Sequence, residues 1–430
     1  LKPYPFSHLN MKGKTVFFFS WNTFRALKHR NYRLYFIGQL ISLTGTWMQN
    51  VALSWLAYRL TGSSTILGLI SFLGLAPALL LAPAAGVIAD RTNRHLLVVL
   101  MQTLAMIQAA FLALLTLTGL IALWHIFLLA VFMGIIRAFD IPARQSFIVE
   151  MVTREDLINA ISLNSSVFNG ARIIGPALAG LVVATFGEGF CFAFNAVSFL
   201  AVIWALLLMK LPRRISSPSS EPFFKDMAEG FQYAWNFLPV RNILSLLTVV
   251  ALFGTPYTVL LPVFAREIFL GTSRELGFLM SAAGFGACVG ALYLASHQNP
   301  TKLPYLIWKA TFMLGVVHIL FSLSRFLVLS LVLIAGVGFS AMLALAASNS
   351  LVQTIVEDDK RGRVMSLHTM VNTGISPFGN LLAGSFADYL GAPTTVMLGG
   401  SLCLIGSFLF ARCLSGIRKV LQPFFSQQTN

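Results

Sequence analysis

Predominantly apolar runs of roughly 18–25 residues, each long enough to cross a bilayer as a helix, recur along this whole 430-residue chain. Twelve can be read, centred near Ser42, Leu75, Met106, Ala130, Ile174, Phe199, Leu252, Cys288, Leu314, Ile334, Pro377 and Leu404. A backbone in lipid must satisfy its own hydrogen bonds, which leaves helices or closed barrels. No run alternates polar and apolar residues as a barrel strand does. The expectation is an all-α membrane protein with twelve transmembrane helices. Charged residues make up 10% of the chain, against about 25% in soluble domains, which excludes a water-soluble fold.

The formal net charge of +15 is dispersed and tracks the loops, so no nucleic-acid partner is expected; the bilayer is. Arg59, Arg266, Arg274 and Arg325 fall in outer segments, and Arg172 and Lys309 within spans. The remaining Lys and Arg precede the first span, follow the last, or sit in alternate loops. That is the positive-inside signature, and it places both termini in the cytoplasm. Residues 1–33 mix Phe17, Phe18, Phe19 and Trp21 with Lys12, Lys14, Arg25, Lys28, Arg30 and Arg33, the pattern of an amphipathic arm on the membrane face. No cleavable signal is expected. Cys191, Cys288, Cys403 and Cys413 show no metal or redox spacing.

The longest polar break is "LPRRISSPSSEPFFKD", residues 211–226, with the Pro/Ser bias of a linker. Six spans precede it and six follow. The organisation expected is an arm at 1–33, a six-helix bundle at 34–210, a cytoplasmic linker with an amphipathic helix at 211–241, a second six-helix bundle at 242–416 and a tail at 417–430. A shift of 204 positions lays "NAISLNSSVFNGARIIGPALAG" over "RVMSLHTMVNTGISPFGNLLAG" without a gap. Gly175 then meets Gly379, Gly180 meets Gly384 and Gly187 meets Gly391. The fifth and eleventh spans are thus equivalent members of two pseudo-symmetric halves.

The loop "GVIADRTNRH", residues 86–95, resembles the signature loop of the major facilitator superfamily. "RAFDIPARQSFIVEMVTREDLINAISLNSS" (137–166), "FRALKHRNYRLYFIGQLISLTGTWMQNVALSWL" (24–56) and "GNLLAGSFADYLGAP" (379–393) resemble its transmembrane secretion effector branch, that of the enterobactin exporter and the macrolide efflux pumps. The resemblance implies two six-helix bundles rocking about a midplane site. It also implies gating roles. Gly86 would let a helix approach closely. Asp90, with Arg91 beside it, would sit against the N-terminus of span eleven. Arg94 would bridge Asp90 to Asp140 on span four, holding the inner gate shut. Asn93 stands where the family has Gly, and Asn tolerates a left-handed turn. "GPALAG", residues 175–180, resembles the antiporter motif, with Gly175, Pro176 and Gly180. Pro176 is expected to kink span five. The small residues would offer a smooth face to span eight, whose Gly286 and Gly290 stand at GxxxG spacing.

Arg172 falls near mid-depth, where a lone arginine costs about 2.5–3.5 kcal/mol on insertion scales. Ser162, Ser165 and Asn169 share its stripe; Thr369, Asn372, Thr373, Ser376 and Asn380 form one on span eleven, and Gln39, Ser42, Thr46 and Gln49 one on span one. From these stripes Gln39, Thr46, Gln49, Asn169, Arg172, Asn372 and Ser376 are the candidate substrate contacts. Two readings of Arg172 stand: an anchor for an anionic or electron-rich part of a cargo, or an arginine bonded to backbone carbonyls or water near Pro176. No Walker-type motif is present, so a cargo must move down its own gradient or against a counter-ion, and for the family resembled that ion is the proton. Spans one and four carry no carboxylate at depth, which leaves Asp388, Glu267 and His318 as coupling candidates. The reading is a monomeric, proton-driven efflux exporter of an amphiphilic small molecule, a siderophore or a lipophilic drug-like compound of the kind whose export gives drug resistance. A lysophospholipid flippase and a small-molecule importer on the same fold remain alternatives. No cofactor or metal motif is read. The histidines group with no acid or cysteine, so an enzyme is not expected.

Overall fold

The computed structural model describes residues 21–209, 231–297 and 299–426. The part of the expected 1–33 arm before residue 21 and the part of the expected 211–241 linker before residue 231 lie outside the described residues. Helix boundaries fall where the chain supplies caps. Ser63 accepts a bond from Ile66 N at 3.4 Å and opens span two, and Asn93 accepts one from Leu96 N at 3.3 Å and opens span three. Asn93 is extended there, not left-handed, so its value is as a cap. Gly187 and Gly391, one repeat apart, take φ values of 90° and 82° at the turns after spans five and eleven, a region that glycine enters without steric cost.

The spans are one, Arg30–Thr61; two, Ser64–Arg91; three, Arg94–Leu117; four, Leu123–Met151; five, Leu157–Phe186; and six, Glu188–Leu207. After the linker come seven, Leu238–Ile268; eight, Ser273–Ser296; nine, Leu303–Leu323; and ten, Leu327–Ile355. Span eleven runs 358–390 in three pieces, and span twelve is Ala392–Ser426. All described elements are helical. Among the described residues, ten helices are long and apolar enough to cross a membrane. Spans one and eleven are the other two. Span one carries Gln39, Ser42, Gln49 and Asn50, and a wide π turn at Met370–Gly374 divides span eleven.

Packing repeats between the halves. Span one lies against five and six, three against four and six, and two against four. Span seven lies against eleven and twelve, nine against ten and twelve, and eight against ten. The bundles meet along five–eight and two–eleven. With the face bearing the start of span one taken as inner, the buried apolar side chains divide unevenly. One outer cluster runs through both bundles, joining Val51, Leu56, Leu112 and Phe192 to Leu260, Phe264, Leu276 and Phe321. At the inner side each bundle has its own core: Tyr32, Tyr35, Phe147 and Phe199 in the first, Val240, Ile243, Leu351 and Ile417 in the second. The bundles are therefore welded at the outer side and separately packed at the inner side.

Candidate functional site

A cavity of about 430 Å³ opens between the bundles, within the range of small-molecule sites. Leu53, Ile70, Leu75, Val259 and Met280 give it apolar walls, and Trp47 an aromatic one. Its polar lining comes from Gln49, Asn50 and Ser54 of span one, Ser71 of two, Gln108 of three, Arg137 of four, Arg172 of five, Thr255 and Thr258 of seven, and Ser376 and Asn380 of eleven. Asn380 Nδ2 donates to Ser71 Oγ at 2.8 Å, a bond between bundles.

Arg172 is the mid-helix residue expected, and it faces the cavity. Among the described residues it has no hydrogen-bond or ion-pair partner. Its Cζ lies 5.9 Å from the Trp47 ring centroid, at the limit of a cation–π contact. Pro176 leaves the Arg172 carbonyl without its helical donor, yet span five continues as one helix from Leu157 to Phe186. Gly284 of span eight packs against that carbonyl, so closely that a Cβ would stand 2.8 Å from it.

Of the other expected contacts, the cavity gathers Gln49 and Ser376. Gln49 is buried and satisfied, donating to Gln108 Oε1 at 3.0 Å and accepting from Asn195 Nδ2 at 2.8 Å. Gln39 lies outside the cavity, buried in the first bundle, where it accepts from Arg144 Nη1 at 3.2 Å. Thr46 turns its hydroxyl back to Ser42 O at 2.9 Å. Asn169 and Asn372 sit about one turn nearer the inner face than Arg172 and Ser376 and do not line the cavity; Asn169 bonds Ser165 O at 2.9 Å. A stripe sets the face of a helix but not the depth at which a cavity begins.

Sequence reasoning missed Arg137. Counted among inner-loop charges, it is the middle residue of Leu123–Met151 and lines the same cavity as Arg172. The signal was present: the helical pattern runs on through "RAFDIPARQSFIVEM", but the charges made it look like loop.

The gating residues differ from expectation. A Cβ on Gly86 would meet open space, so no helix packs closely on it in this conformation. The Asp90 and Arg91 side chains lie outside the described residues. Arg94 Nη1 pairs with Glu150 Oε1 at 3.4 Å. Asp140 pairs with Arg144 Nε at 2.8 Å through one oxygen and accepts from Gln102 Nε2 at 2.9 Å through the other. Glu150, near the end of span four and about three helical turns beyond Asp140, is the acid within reach of Arg94.

The antiporter-motif glycines make close contacts, with partners only partly as expected. Gly180 packs on Ser273, Arg274 and Gly277 of span eight, and a Cβ on Gly277 would stand 2.4 Å from Pro176 O. Gly175 instead packs on Thr44 and Trp47 of span one. Gly286 and Gly290 face the Ala335 and Phe339 carbonyls of span ten, not span five. The repeat copies the first contact: Gly384 packs on Ser64 and Gly68 of span two.

Two coupling candidates bridge the bundles at the outer side. Glu267 accepts from Tyr58 Oη. Asp388 accepts from Ser63 Oγ at 2.6 Å, Ser64 N at 2.6 Å and Thr65 N at 3.0 Å, capping span two from the other bundle. His318 is buried in the second bundle against Tyr257, with Nδ1 2.8 Å from Leu314 O, and does not line the cavity.

A twelve-helix pseudo-symmetric bundle pair around a central cavity is the architecture of a membrane transporter, and comparison with known proteins agrees. The chain is 26% identical to the staphyloferrin A transporter of Staphylococcus aureus, over 88% of this chain and 95% of that one. It is 24% identical to macrolide efflux protein A of Streptococcus pyogenes, with the same coverage of each chain. A POT family transporter solved with 5-aminolevulinic acid superposes with a TM-score of 0.72 at 14% identity, covering 90% of this chain and 96% of that one; it shares the fold. Residues 21–420 match the transmembrane secretion effector family of transporters, and the chain, a multi-pass membrane protein and not an enzyme, belongs to that family.

Proposed function

We propose that this protein is a secondary exporter of the bacterial inner membrane, with both termini cytoplasmic, that moves an amphiphilic small molecule outward in exchange for protons. The observation that carries the reading is the half-polar cavity at mid-depth beneath an apolar core that joins the bundles only at the outer side. In this reading the described conformation is the one loaded from the cytoplasm. Ser162 and Ser165 on span five and Thr369 and Thr373 on span eleven are exposed below the cavity, as the walls of a wet entrance would be. One chain supplies the whole cavity, which supports a monomer as the working unit.

Opening to the outside requires the Glu267–Tyr58 and Asp388–span two contacts to break. An ionised carboxylate holds such donors more strongly than a protonated one, so protonation from the outer side would favour release. Domain organisation follows the same reading, with 34–210 and 242–416 as the rocking units. The names of the two relatives support export of a siderophore-like or drug-like cargo.

The test uses everted vesicles energised by respiration, in which export becomes accumulation. At least one of an anionic dye, a cationic dye and a labelled macrolide should accumulate above vesicles lacking the chain, and a protonophore should abolish the difference. Accumulation that survives the protonophore overturns proton exchange; probe uptake by intact energised cells overturns export.

A further inference from the structure

We infer that the cavity selects a cargo bearing two anionic groups, one held by Arg137 and the other by Arg172. The inference rests on the exporter reading and names the cargo class of that site. Each arginine is at the middle of its helix, Arg137 in Leu123–Met151 and Arg172 in Leu157–Phe186, and both line the one cavity. No Asp or Glu lines it among the described residues.

The carboxylate nearest Arg137 in sequence is engaged elsewhere. Asp140 gives one oxygen to Arg144 at 2.8 Å and the other to Gln102 at 2.9 Å. Arg137 is left with the neutral amide oxygen of Asn50 at 3.5 Å, at the long limit of a hydrogen bond. Arg172 has only the Trp47 ring at 5.9 Å. Both guanidiniums stand in a partly apolar space with no carboxylate on its wall, and the Asp140 charge that reaches Arg137 is shared with Arg144 and Gln102. Each presents a planar fork suited to a carboxylate. A dianionic amphiphile answers both features: its charges neutralise the arginines while its body lies on Leu53, Ile70, Val259 and Met280. A cation would add a third like charge, and a neutral molecule would bury two unpaired ones.

The test is equilibrium binding to the full-length protein in lipid nanodiscs, with four tritiated probes on one naphthyl body: the succinate dianion, its monomethyl ester, its dimethyl ester and a trimethylammonium. The dianion should bind roughly ten-fold or more tightly than the monoester, since charge-assisted bonds are worth that much, and the trimethylammonium should not bind. Arg137→Gln and Arg172→Gln should each cost the dianion roughly ten-fold and leave the diester unchanged; Arg137→Lys should restore part of the loss. Equal binding of dianion and diester, preference for the cation, or no binding of any probe overturns the inference. So do arginine variants that weaken all probes alike. Should a variant fail to elute as wild type does, the probe series on the wild-type protein decides alone. Dye accumulation in everted vesicles, measured in parallel, reads the exporter reading separately: dye transport without charge discrimination sinks the dianion and spares the exporter.

Discussion

Asp140 settles what two arginines on its own helix do. By taking Arg144 and Gln102 it builds a buried polar joint between spans three and four, with Tyr35 and Gln39 of span one beside it, and it leaves Arg137 to the cavity. Asp140→Asn keeps the shape but leaves the mostly buried Arg144 uncompensated. It should lower the thermal midpoint in detergent, at a cost of up to about 3–5 kcal/mol; Asp140→Asn with Arg144→Met should recover part. An unchanged midpoint in the single variant would show the pair to be idle. At the inner surface Asp156, between spans four and five, receives Lys28 Nζ at 2.8 Å, His29 Nε2 at 2.7 Å and the Arg25 guanidinium. The hydrogen bonds from Lys28 and His29, then the charges of Arg25 and Lys28, hold its carboxyl below the ordinary range. A lowered acid contributes stability that is complete above the unfolded pKa of about 4 and fades as pH falls toward the folded value. Protection of the Ala26 amide, which donates to Asn159 Oδ1 at 2.8 Å, should therefore hold from neutral pH to about 4 and drop below it. Asp156→Ala should remove that pH dependence from the exchange rate.

At the scale of elements, the two bundle seams obey one rule. Spans five and eight, and spans two and eleven, approach so closely that glycine is required at Gly180, Gly277, Gly68 and Gly384. Without a hydrophobic drive between helices in lipid, such close packing is what holds them together. Gly277→Ala would push a methyl into Pro176 O and should destabilise by about 1–3 kcal/mol, read as a lower thermal midpoint. Gly86→Ala meets nothing, and removing a helical glycine should raise the midpoint slightly, by about 0.5–1 kcal/mol. The reverse order would mean that the seams lie elsewhere. The halves also differ. Span seven carries wide π turns at Val250–Gly254 and Phe264–Ile268, and span eleven one at Met370–Gly374, while spans one and five run as plain α-helices. These turns lie next to Thr255 and Ser376 of the cavity wall and at Glu267 of the outer bridge, in keeping with the placement of π turns at functional sites.

For the whole molecule, the outer weld makes a definite demand. If the bundles rock, the Asp388 cap on span two must come apart in every cycle. In a background with the four free cysteines replaced, Ser63→Cys with Asp388→Cys should cross-link on mild oxidation and stop dye accumulation in everted vesicles, and reductant should restore it. Transport that continues through a complete cross-link would show that the outer side does not open there.

The helical spans and the 204-residue repeat were legible because hydrophobic length and small-residue spacing are properties of the chain itself, which a bilayer reads one helix at a time. Arg172 was legible for the same reason, since a charge within an apolar run must be answered somewhere. The partners were not legible. Gly286 at GxxxG spacing offers a smooth face without naming the helix that takes it, Arg94 has acids at several distances along span four, and Arg137 looked like loop because charge masked helix. Those choices depend on the rotation and depth of neighbouring helices, set by packing between segments far apart in sequence. The chain alone determined that there would be twelve helices in two like halves; only their packing decided that the outer halves share a core, that the inner halves stand apart, and that two arginines face the space between.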